Sequence, residues 1–197
     1  MSRHSPGITL VELMIVVAIV GILATIAVLA FGTLRKKSAI RAAVHEIRAV
    51  IRLGRSRAIA RGMNSAVKFQ KIGPAWHSAL VDDMDGDGVR NDDIKKGIDR
   101  VLLPYREVLS PGSEVAIALP SFPVLDPDTS KPIEKDASPV RFNASTLCSF
   151  GPNGGGTAGS IFLTNREHDV AMVRVTGATG RVRAILYRRI DGSWGSL

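Results

Sequence analysis

The chain has a single cysteine, Cys148, so no internal disulfide can staple it. Its fold must rest on apolar burial and hydrogen bonding alone. Cys148 stands between Leu147 and Phe150 and reads as a small buried hydrophobe. Histidine is sparse too, with four residues, and His45, His77 and His168 belong to no motif that would couple them to a nucleophile. The glycine run after Phe150 lacks the Lys-Ser/Thr of a phosphate-binding loop and reads as a turn. The chain is therefore read as not an enzyme. Acidic residues are outnumbered, 18 against 26 Lys and Arg, for a net charge of +8. That excess makes nucleic acid or anionic lipid plausible partners and selects neither.

Charge is missing above all from residues 8–31, where Glu12 is the one ionisable side chain. As a helix rising ~1.5 Å per residue, this run is long enough for a hydrocarbon core of ~30 Å. A carboxylate within it costs about 2.5–3.5 kcal/mol at the bilayer centre, so it needs a partner. Cleavage after Gly7 would supply one, since the new amine of Ile8 would lie one helical turn from Glu12, on the same or a neighbouring subunit. An ordinary secretory signal fits poorly: its apolar stretch is shorter and is cut at its far end.

The leader MSRHSPG, the following apolar run and a glutamate at the fifth position after the glycine resemble the N-terminus of type IV pilins and pseudopilins. Ile8 departs from the phenylalanine most often found there. The resemblance implies processing by prepilin peptidase at Gly7 and Ile8, N-methylation of Ile8, and assembly through Glu12. It also implies a bacterial inner-membrane anchor with the C-terminal domain in the periplasm. Charge bias alone would argue the other way, because Arg35, Lys36, Lys37 and Arg41 follow the run while the leader offers Arg3 and the amine. The pilin pattern overrides that bias. Many major pilins close a C-terminal loop with a disulfide, which this chain cannot form.

The helix is expected to continue through 32–62. Ile40, Ala43, Val44, Ile47, Ile51, Gly54 and Ala58 recur at helical spacing, and Gly62 is a natural end. Arg41, His45, Arg48, Arg52 and Arg55 form a stripe on another face, readable as a solvated surface, a filament contact or an anion site. After Gly62 the period becomes two. Strands are expected at 65–72, 76–81, 98–103, 114–119, 140–143, 160–164, 170–175 and 181–188, with the proline-rich stretch 120–139 looping out. The expected fold is α+β: a long N-terminal membrane-spanning helix packed on a mostly antiparallel β domain. Its parts are a leader at 1–7, a transmembrane helix at 8–31, an amphipathic helix at 32–62 and a globular domain at 63–197.

Residues 36–68, with the segment RSRAIARGMNSAVKF, resemble the GspH/FimT pseudopilin group, as do the hairpin from Phe150 to Gly159 and the later Gly180-Arg181 strand. The insertion at 120–139 has no counterpart in that pattern. The resemblance implies a minor pseudopilin of a type II secretion system, partnered by other pseudopilins and an inner-membrane assembly platform. The alternative it implies is a FimT-like minor pilin that binds DNA during transformation.

Two local patterns carry candidate chemistry. Asp83, Asp85 and Asp87 followed by glycine match the opening of a calcium loop, with Val89 and Asn91 at the next ligand positions. Ile94 stands where the bidentate glutamate belongs, so Asp92 or Asp93 would have to substitute. The same residues read equally as a polar hairpin turn. Gly180-Arg181-Val182-Arg183 matches the G-R-x-R motif of DNA-binding FimT-type pilins. Strand alternation puts Arg181 and Arg183 on one face, and Arg174, Arg188 and Arg189 could extend a basic patch for sequence-independent phosphate contacts. A solvated strand face is the competing reading.

Overall fold

The computed structural model describes residues 9–134, 137–165, 169–189 and 191–197, with backbone alone over 26–37. Helix α1 comprises Leu10–Arg61. The chain divides into two units, Met1–Ser38 and Ala39–Leu197, which are taken in turn.

In the first unit the described side chains of 9–25 are all exposed, including Leu13, Ile15, Val17 and Ile22. Among the described residues no helix is long and apolar enough to cross a membrane. The expected span at 8–31 extends beyond the side chains described, and Gly7 and Ile8 lie outside the described residues.

The second unit is α+β with two antiparallel sheets. The first has the order β3-β2-β1-β5, from β1 (Ser65–Ile72), β2 (Ala75–Asp82), β3 (Arg100–Glu107) and β5 (Leu147–Phe150). The second has the order β4-β6-β7-β8-β9, from β4 (Val140–Phe142), β6 (Gly159–Thr164), β7 (Val170–Thr176), β8 (Arg181–Arg188) and β9 (Ser193–Ser196). A short helix α2 (Asn91–Lys96) precedes β3 and is capped by Gly97.

The apolar stripe of α1 does what its spacing predicts. Ile40, Val44, Ile47, Ile51 and Ala58 are buried in one core with Val67 and Phe69 of the first sheet and Ile161, Val173 and Val175 of the second. Gly54 belongs to this stripe because the helix approaches the first sheet closely there. A Cβ at that position would lie 2.7 Å from Val67 Cγ2. Cys148 is fully buried in the same core, and burial pushes its thiol pKa up, away from thiolate chemistry.

Three expectations change. The segment 114–119 is not a strand; it reaches only one bridge, Ala116 with Thr164, although Val115 and Ile117 are buried. Alternating burial without a run of ladder partners makes no strand. β3 begins later and runs through Pro104, which is tolerated because β3 is an edge strand bonded only to β2. The described part of the proline-rich segment, 120–134 and 137–139, does not loop out. It is a strap on the outer face of the second sheet, with Val124 buried, Phe122 against Tyr187, and Leu125 O accepting from Trp194 Nε1 at 2.7 Å. Beneath that face Phe162 and Met172 are fully buried, where strand alternation alone would have exposed them.

Candidate functional site

Cross-strand register decides which arginines can act together. Val182, Ala184 and Leu186 of β8 face the core, opposite Val175, Val173 and Ala171 of β7. The odd positions face outward, so Arg181 pairs with Thr176 and Arg183 lies directly across from Arg174. β9 pairs with positions 185–188 and Leu197 N donates to Ala184 O, which leaves positions 181–183 of β8 as an open edge among the described residues. A cleft of about 950 Å³ lies along that edge. Arg48, Arg52 and Arg55 of α1 line it together with Arg174, Arg181 and Arg183, against one acidic side chain among the described residues, Asp128. The helical stripe and the strand motif, far apart in sequence, thus share one concavity.

These arginines are not equivalent. Arg55 is structural: its Nε donates to Gly154 O at 2.9 Å and its Nη2 to Thr179 O at 3.2 Å, tying two glycine turns to the helix. Arg174 is neutralised by the strap, with Nη2 2.7 Å from Asp126 Oδ2 and Nη1 hydrogen-bonded to Asp128. Burial works against the charged form of Arg174, but the hydrogen bonds it donates to both carboxylates outweigh this and raise its pKa. Burial likewise pushes Asp126 up, and the Arg174 guanidinium overrides this to hold its carboxyl below the usual range. Arg183 is half-exposed and 3.9 Å from Asp128. Arg181 and Arg52 are exposed and, among the described residues, have no ion-pair partner; Arg48 Nε is buried with no hydrogen-bond acceptor.

Of the five arginines expected in a basic patch, Arg174, Arg181 and Arg183 are brought together. Arg188 instead pairs with Asp191 at 3.6 Å, and the Arg189 guanidinium lies 4.9 Å over the Phe122 ring. Sequence reading placed Arg48 and Arg52 on a separate face. Their i, i+4 spacing was visible, but its convergence with β8 depends on where the core seats the helix.

The glycine of Gly180-Arg181-Val182-Arg183 has a role of its own. Gly180 closes the turn between β7 and β8 at φ 60°, and a Cβ there would lie 2.1 Å from Gly154 O. Only glycine fits both the left-handed backbone and the close approach.

The acidic loop is organised around its own backbone. Asp83, 2% exposed, accepts from Gly86 N at 2.8 Å through one oxygen, and from Gly88 N at 2.9 Å and Asn64 Nδ2 at 2.8 Å through the other. Burial raises its pKa and these donors more than compensate, leaving it low. Asp85 and Asp87 come within 4.8 Å of it, and Asp87 is ion-paired with Arg90. The later positions make contacts of their own. Val89 packs with Ala66, Val81 and Leu147, while Asn91 accepts from Lys68 Nζ at 2.6 Å. Asp92 pairs with Lys95, and the carbonyl of Asp93 accepts from Ile98 and Asp99. Calcium takes 6–8 oxygens. Asp83, Asp85 and Asp87 bring three carboxylates together, and Asp83 also accepts three N–H groups that hold the loop as a hairpin turn.

At the other end of the chain, Glu12 closes a capping box. Its Oε2 accepts from Thr9 N at 2.9 Å and Thr9 Oγ1 at 3.0 Å, and Thr9 Oγ1 accepts from Glu12 N at 3.2 Å. The T-x-x-E spacing was the missed signal for this second role.

Residues 2–28 match the family model described as the prokaryotic N-terminal methylation motif. No curated protein and no solved structure matches the chain. The match is confined to the N-terminal segment, where it supports a prepilin-type signal of the kind carried by type IV pilin-like proteins.

Proposed function

We propose that this chain is a minor pseudopilin of the GspH/FimT kind, a non-catalytic structural subunit of a type II secretion pseudopilus. The observation that carries the proposal is the methylation motif over 2–28, ahead of a β-rich unit with its own core. On this reading prepilin peptidase cuts after Gly7 and methylates Ile8. The run 8–31 then holds the product in the bacterial inner membrane with the β-rich unit in the periplasm. An assembly platform extracts it into a filament, where Glu12 meets a neighbour's amine in a low-dielectric setting that strengthens the pair. Cysteine substitutions along 8–25 test this: they should crosslink to other pseudopilins in intact cells. Crosslinks confined to unrelated membrane proteins would defeat the reading.

A second reading, a FimT-like minor pilin that binds DNA, is favoured by the convergence of Arg48, Arg52, Arg181 and Arg183 on one cleft. Binding should be sequence-independent and should weaken steeply with salt, each neutralised phosphate adding about −0.9 to the log–log slope. Arg181→Ala combined with Arg183→Ala should weaken duplex binding and make the slope shallower by about two units at most. Equal binding by wild type and double variant in gel-shift titrations at two salt concentrations would remove the cleft as a DNA site.

A further inference from the structure

We propose that Asp128 is an internal stand-in for a ligand phosphate, a carboxylate that occupies the arginine cleft and is displaced when a nucleic-acid strand enters. The inference rests on the DNA-binding reading and adds a selectivity element to it. Among the described residues Asp128 is the one acidic side chain lining the cleft. It is about half-exposed, hydrogen-bonded to the Arg174 guanidinium and 3.9 Å from that of Arg183, the cross-strand pair on the outer face. An acceptor bridging two such guanidinium groups from the solvent side is in the position a phosphate oxygen would take.

The strap does not need Asp128 to stay in place. Asp126 already satisfies Arg174 from a position only 15% exposed, and Val124 is buried. The strap is also closed on itself by Ile133 N to Val124 O at 2.9 Å and Asp126 N to Lys131 O at 2.8 Å, and held to β9 through Trp194. Asp128 can therefore swing out while its backbone remains docked.

The consequence is selectivity for chains over single anions. Asp128 is tethered, so its effective concentration at Arg183 is high, and an isolated phosphate competes with it one-for-one at a disadvantage. A polyphosphate backbone also engages Arg181 and Arg52, which have no carboxylate partner among the described residues, and Arg48. Those extra contacts offset the displaced ion pair. Asp128 thus rejects free phosphate and admits a strand.

Fluorescence anisotropy on the detergent-solubilised full chain, with a labelled mixed-sequence DNA duplex, tests this. Asp128→Asn should bind about two- to fivefold tighter, the range expected for losing one exposed ion pair, and should respond more strongly to inorganic phosphate as a competitor. Asp128→Glu should behave as wild type. Asp191→Asn removes a carboxylate outside the cleft and should leave affinity unchanged. Unchanged or weaker binding by Asp128→Asn, or equal tightening by Asp191→Asn, would overturn the stand-in role while leaving the cleft intact as a DNA site. Absence of duplex binding, or binding indifferent to Arg181→Ala with Arg183→Ala, would instead remove the DNA reading and this inference with it.

Discussion

Single residues in this protein divide between those that hold the cleft's shape and those that face its contents. Gly180 belongs to the first kind. Gly180→Ala forces a left-handed backbone on an alanine and drives its Cβ toward Gly154 O, 2.1 Å away. Together these should cost roughly 2–4 kcal/mol, seen as a lowered thermal midpoint. A midpoint within a degree or so of wild type would mean the turn tolerates a side chain. Acid sensitivity is a second consequence at this scale. Asp82 is nearly buried, which raises its pKa, but hydrogen bonds from Arg57 at 2.7 Å and from Ser65 at 2.7 Å prevail and hold it low. Asp126 is held low in the same way. A depressed folded-state pKa means the stabilisation is fully present above the unfolded value, near ~3.9, and is lost as pH falls through the folded value. Stability should therefore be flat from neutral pH to about pH 5 and fall below about pH 4, with a shallower acid limb in Asp82→Asn. Chemical denaturation at a series of pH values would show this; an acid limb identical in the variant would exclude Asp82 as a contributor.

Among the elements, the strap and the acidic loop show how a sequence-level pattern acquires a different use. The strap's prolines and charges suggested a solvated excursion. Its apolar residues instead cover the second sheet, and Asp126 and Asp128 meet Arg174. The loop 83–88 opens like a calcium site, yet its first carboxylate is spent on the amides of Gly86 and Gly88. Its later positions belong to α2 and the small cluster around Val89. A bound ion would stabilise the fold by about 2.7 kcal/mol at a hundredfold excess over its dissociation constant. We expect no such change: the melting temperature of the full chain should be the same in millimolar calcium as in chelator. A calcium-dependent rise abolished by Asp85→Asn would establish an ion site.

For the whole molecule, the decisive chemistry is at the N-terminus. Intact mass of protein extracted from membranes should correspond to a chain beginning at Ile8; retention of Met1 would contradict the prepilin motif. Glu12 carries two candidate roles, the capping box with Thr9 and a charge pair with a neighbouring subunit. Glu12→Gln separates them, because glutamine preserves a capping box while removing the charge. The variant should be processed normally and yet fail to enter filaments. Normal incorporation would assign Glu12 to helix capping alone.

The apolar run with its glutamate, the helical stripe ending at Gly62 and most of the strands could be read from the sequence by itself. These features arise from local periodicity and from chemistry between near neighbours. β1 and β8 fall where alternation places them, and Arg61 is the last helical residue. β5 and β9 were not legible, since each is four residues long and becomes a strand only by finding a partner edge. The cleft was legible in halves. The sequence shows Arg48, Arg52 and Arg55 on one helix face and Arg181 with Arg183 on one strand face. Their sharing a concavity depends on long-range packing: α1 is seated by Ile47 and Ile51 in the same core that Val182 and Ala184 face from the edge of the second sheet. The pairing of Asp126 and Asp128 with Arg174, 48 and 46 residues away, likewise exists only once the strap lies on that sheet. No periodicity encodes such contacts. They are decided by which faces must be buried together, and so by the tertiary structure.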